Sequence, residues 1–281
     1  MQNESVVKEN FSYWALSVEN HKHVNGLEGF REFFTSVYDS AKNGFDLFFK
    51  KLTGFKTIEL NHVPPAKLLF ALMDSEYEDV ENLMLACPAG LTSSVVDWSN
   101  EANAQLSWFA SEGQVFIREM RTHAGAIISS KMTKQSLNDT SGRTLKLAEQ
   151  REAMADAFSA QYDVKRNHSS AKYSALFGTG KSAYKDAYAQ VVGVVDKLNA
   201  INVDQLKGDI EGLTRNVDTI VELVESGEID FISPEQVNNL YKGVFEAAKQ
   251  AEYFGLMLFR VQAMAQAMED QVATFQKRFK Y

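Results

Sequence analysis

The chain has 281 residues, 45% of them hydrophobic, with a formal net charge of −8 and Cys87 as its single cysteine. That hydrophobic share suits one or two domains with a sizeable core and is too high for a disordered chain. The acidic total argues against sequence-independent binding to nucleic acid or anionic lipid, which needs clustered Lys and Arg, and one cysteine allows neither an intramolecular disulfide nor a cysteine-based metal site.

Only four prolines occur. Their scarcity permits long helices, because an interior proline removes a hydrogen bond and clashes with the preceding turn. No run of 18 apolar residues marks a transmembrane helix. The start, MQNESVVKENFSYWALSVEN, lacks the basic start and apolar centre expected of a secretory signal.

Residues 1–26 read as a polar arm with a short aromatic patch, Phe11, Tyr13 and Trp14. From Leu27, apolar residues recur at steps of three and four: Phe30, Phe34, Val37, Ala41, Phe45, Phe48, Leu52 and Phe55. This spacing predicts an amphipathic aromatic helix over 27–55. Its wide Phe face is expected to pack on the chain's own core, with partner docking through Phe30, Phe34, Phe45 and Phe48 as the functional alternative. Residues 55–60 suit a short extended piece before the stiff Pro64-Pro65 connector. Helix returns over 66–86, ends at Cys87-Pro88-Ala89-Gly90, and restarts from a Thr92 or Ser93 cap, carrying Val95, Trp98, Ala102, Leu106 and Phe109, then Phe116, Ile117 and Met120 after Gly113.

Residues 123–142 are the least periodic part and predict a loop or a junction between helices. A polar helix is expected over 143–163, with Leu147, Met154, Phe158 and Tyr162, followed by a break at KRNHSS. Tyr184, Tyr188, Val191, Val195 and Leu198 mark one helix. Leu206, Ile210, Leu213, Val217, Ile220 and Val224 mark the next, capped by Asp204 and closed by Gly227. Ser233, Pro234 and Gln236 fit a capping box that opens the last helix. Its stripe runs from Val237 to Phe279 at the same spacing. At about 1.5 Å per residue it spans roughly 65–70 Å. The fold class is therefore all-α: an elongated antiparallel helical bundle with a long C-terminal helix, the bundle proper occupying 143–281 and a helical region 27–142. The tip around Phe275 and Phe279 is a second place to look for a neighbouring subunit.

The string ALFGTGKS at 175–182 fits a relaxed phosphate loop, in which Lys181 would reach phosphates and Ser182 a magnesium ion. A true loop follows a buried strand, and KRNHSSAKYS is not one, so a Gly-rich turn before a helix is the better reading. A nucleotide-dependent enzyme using Lys181 and Ser182 remains the alternative it leaves. His21 and His23 lack a third ligand at useful spacing, and Cys87 reads as a buried structural thiol. Glu76, Glu78, Asp79 and Glu81 read as a solvated face. No residue set points to catalysis, a cofactor or a metal.

The run GEIDFISPEQVNNLYKGVFEAAKQAEYFGLMLFRVQAMAQAM resembles the C-terminal part of virion structural proteins of large contractile-tailed phages, and KLTGFKTIELNHVPPAKLLFALM is similar to the connector and second helix of that group. The resemblance implies a non-enzymatic internal head or capsid-associated component, assembled in the host cytoplasm. Its implied partners are other virion proteins or further copies of itself, with no sequence-specific nucleic acid. It also implies prohead processing after a small-x-Glu triplet, which Ser17-Val18-Glu19 resembles, with cleavage before Asn20. A cytoplasmic helical adaptor that docks its partner through 27–55 is the alternative.

Overall fold

The computed structural model describes residues 41–46, 48–50, 57–61, 63–75, 77–130, 141–159, 168–228 and 234–280. The protein is all-α, with one small two-stranded sheet among the described residues. Residues 41–46 and 48–50 are helical. Then come α1 (Ala66–Asp74), α2 (Tyr77–Glu81), β1 (Met84–Pro88), α3 (Val95–Trp108), a π turn (Phe109–Gly113), α4 (Gln114–Ser130), α5 (Ser141–Ser159), β2 (His168–Lys172), α6 (Tyr173–Phe177), α7 (Ala183–Asn199), α8 (Val203–Glu225) and α9 (Pro234–Phe279).

The organising element is α9, a single helix of 46 residues beginning at Pro234. Its expected stripe is buried from Leu240 through Met268 and again at Phe275. Tyr241, Ala248, Tyr253, Met257, Met264 and Ala267 are buried as well. These residues lie off the stripe, so α9 is enclosed on more than one side. It packs against β1, α1, α3, α4, α5, α7 and the π turn.

The neighbours of α9 are not the ones chain order suggests. The stripe of α8 is buried as expected at Leu206, Ile210, Leu213, Val217 and Ile220. Its main partner, however, is α4, while α7 lies against α3. Helices of the expected 143–281 bundle thus also pair across the 142/143 boundary, and the described residues on both sides share one core. Asp209 on α8, itself buried, receives Arg121 Nη1 at 2.8 Å and Arg118 Nε at 3.4 Å from α4. Asn216 Nδ2 donates to the Arg121 carbonyl at 3.1 Å. These polar contacts fix the register of the pair.

Several boundaries differ from expectation for local reasons. The helix expected over 66–86 stops at Ser75, whose extended backbone leaves the helix while its hydroxyl and amide both donate to the Ala71 carbonyl. After α2 the chain turns extended, and β1 pairs antiparallel with β2, Met84 opposite Lys172 and Pro88 opposite His168. Ser94, not Thr92 or Ser93, caps α3: its Oγ accepts from the Asp97 amide at 3.1 Å. Asn202, not Asp204, caps α8 by accepting from the Gln205 amide at 2.9 Å. Gly227 has φ +73, the left-handed geometry expected of it.

Helix runs through Gly113 as expected and extends further past His123 than the pattern predicts. From α3 to α4 the chain is continuous, because the π turn inserts a residue without breaking the rod. That shift stacks Phe109 on Phe254, with ring centroids 4.5 Å apart. Gly113 gives it room: a Cβ there would lie 2.7 Å from both Phe109 Cδ2 and Gln250 Oε1. Of the segment 123–142 expected to be a loop, 123–130 and 141–142 are helical, and 131–140 lies outside the described residues.

Candidate functional site

Among the described residues, those expected to dock partners are turned inward wholly or in part. Phe45 and Phe48 are buried in the core, with Phe48 tilted against Phe254 at 6.5 Å. Gly44, one residue earlier, approaches Ala248 on α9. The apolar face faces α9 because that burial removes its rings from water. Phe275 is fully buried, T-shaped against Tyr184 at 5.0 Å and Tyr173 at 6.5 Å. Phe279 is partly buried and stacks on Phe275 at 6.1 Å. The tip of α9 is thus covered by α6 and α7 of the same chain. Phe30, Phe34, Glu19 and Asn20 lie outside the described residues.

The Gly-rich loop is held by its own neighbours. Gly178 and Gly180 adopt φ of +76 and +119, and the segment follows the short helix α6 rather than the end of a strand. Tyr173 Oη donates to the Gly180 carbonyl at 2.9 Å. Lys181 Nζ donates to the Met73 carbonyl at 2.9 Å, tying the loop to the end of α1. The lysine that a phosphate loop would aim at its ligand is here a tether between two helices.

A buried polar cluster joins α3, α5 and α9, and sequence reasoning missed it. Arg151 takes the central slot of an α5 face otherwise formed by Thr144, Leu147 and Met154. Its Nε and Nη2 donate to the two carboxylate oxygens of Glu246 at 2.9 and 3.0 Å. Burial works against the Arg151 charge, but the hydrogen bonds and charge of Glu246 outweigh it and hold the guanidinium above its usual range. Gln250 Nε2 donates to Glu246 at 2.7 Å. Nearby, Tyr253 Oη donates to Gln105 Oε1 at 2.6 Å, and Gln105 Nε2 donates to Glu101 at 2.7 Å. Burial pushes the Tyr253 hydroxyl well above the ordinary phenol range. It therefore serves as a donor rather than as a base. A polar residue inside an apolar stripe was the available signal, and Arg151, at helical spacing between Leu147 and Met154 on α5, carried it.

Among the described residues, no three His, Cys, Asp or Glu side chains are placed to hold a metal ion. No described helix is long and apolar enough to cross a membrane. His123 lies partly buried on α4, where burial lowers its pKa. Burial likewise raises the Cys87 thiol, against a weaker opposing hydrogen bond with Ser169.

Among the described residues, large apolar side chains are exposed at Met84, Leu145 and Phe259 and as a group of three on and beside α1. Phe70 is 76% exposed, Met73 59% and Val63 63%. Lys67, Phe70, Ala71, Met73 and Asp74 line a shallow concavity there. This face is the candidate interaction surface.

No family model, curated protein or solved structure matches this chain.

Proposed function

We propose that the protein is a non-enzymatic structural component of a contractile-tailed phage virion, an internal head or capsid-associated protein acting by helical packing and self-association. The observation that carries this reading is the run from Gly227 to Met268, whose phrasing resembles such proteins and which builds most of α9. The use of the buried polar side chains supports it. Arg151, Glu246, Gln105 and Tyr253 bond one another across three helices, and Lys181 ties a loop to α1, so these groups serve assembly of the fold. The adaptor alternative needed Phe45 and Phe48 on the outside, and their burial weakens it.

Mass spectrometry of purified particles tests the proposal. The protein is expected among the virion components, with a mature N-terminus at Asn20 if the triplet ending at Glu19 is processed. Particles of normal composition that lack the protein would overturn the reading.

A further inference from the structure

We propose that the outer face of α1 pairs with the same face of a second copy, antiparallel and about a two-fold axis. Helix α1 buries Leu68 and Leu72 against its own core. Lys67, Phe70, Ala71 and Asp74 are spaced three, four and seven residues apart and so share one stripe. Lys67, Phe70 and Asp74 are exposed. The stripe reads positive, apolar, apolar, negative, with its centre between Phe70 and Ala71. Turned through 180° about that centre, it sets Lys67 against the second copy's Asp74, and Asp74 against its Lys67. In the middle the apolar residues meet. The face is complementary to itself in this arrangement alone, because a parallel copy would set like charges together.

The helix dipole gives a second reason. Lys67 lies in the first turn, where partial positive charge disfavours it, and Asp74 lies in the last, where partial negative charge disfavours it. Each sits at the wrong end of its own helix and at the right end of an antiparallel neighbour. Among the described residues neither forms a salt bridge, and Lys181, which also faces the end of α1, bonds the Met73 carbonyl instead. A nine-residue helix offers less area than stable dimers bury, so the contact is weak singly and gains strength when many copies are held together.

This pairing deepens the self-association reading above and rests on it for its biological meaning. Sedimentation of the full chain over a concentration series tests it. Wild type is expected to dimerise reversibly. Phe70→Asp is expected to weaken the dimer about tenfold or more, with helical content and melting temperature unchanged. Lys67→Glu and Asp74→Lys, each alone, set like charges together at both contacts and weaken it too. Mixed one to one, these two variants restore association, because every contact then joins opposite charges. A wild type that stays monomeric, a Phe70→Asp variant that dimerises normally, or a mixture that gains nothing over its components would each overturn the pairing. Virion membership would then still stand or fall by the mass spectrometry of particles.

Discussion

Replacing Arg151 with methionine leaves the Glu246 carboxylate buried with only Gln250 to satisfy it. Breaking one side of a buried pair costs about 3–5 kcal/mol, more than the intact pair contributes, because the remaining charge is stranded. The expected result is an unfolding free energy, measured by urea denaturation, lowered by that amount. The double variant Arg151→Met/Glu246→Leu should recover much of the loss, though not all, since Gln250 then lacks its acceptor. If single and double variants lose the same stability, the pair is not coupled as the geometry implies. Cys87 is a milder case at the same scale. It is buried and its thiol is raised by that burial, so little thiolate forms at neutral pH. A thiol reagent is expected to label it slowly in the native protein and at once in denaturant. Rapid native labelling would contradict its place on β1.

The elements differ in how far they could be read from sequence. The stripes of α7, α8 and α9 were legible because each carries an apolar series at helical spacing, even where α8 and α9 also bury polar groups such as Asp209 and Glu246 beside it. β1 and β2 were not. Residues 84–88 form a short apolar run that helix or strand can accommodate, and HSSAK has no alternation to announce a strand. Their pairing depends on a partner more than eighty residues away, which local pattern does not contain. The candidate surface on α1 was hidden for a related reason. Leu68, Leu69, Phe70 and Leu72 are apolar on nearly all sides of the helix, so spacing alone does not say that Phe70 faces out. The opposite fates of two phenylalanines follow. Phe275→Ala is expected to destabilise by about 3–5 kcal/mol through the cavity it leaves. Phe70→Ala should stay within about 0.5 kcal/mol. Chemical denaturation of the two variants compares them directly, and equal effects would contradict the burial assigned to each.

At the scale of the molecule, helical stripes showed which faces are buried but not which helices meet. The pattern of α8 fits a neighbour in α7 or α9 as well as in α4, and polar groups such as Arg121 and Asp209 make the choice. A fragment spanning 143–281 would keep three long striped helices yet lose α4. Leu206, Ile210, Leu213, Val217 and Ile220 would then face water. It is expected to lack the sharp unfolding transition of the full chain and to aggregate or bind hydrophobic dyes. A fragment that melts cooperatively would show that the C-terminal half carries its own core.

The enclosure of α9 also has a consequence in time. Synthesis proceeds from N- to C-terminus, and α9 leaves the ribosome after every other described element. α3, α4, α5 and α7 are all made before the spine against which they pack. While translation continues, Phe109 awaits its stacking partner Phe254, which does not yet exist. Contacts this distant in sequence form slowly, and the waiting surfaces are sticky. Productive folding is thus a late, concerted event, and a chain released before α9 is complete would be a substrate for chaperones rather than a partly built protein.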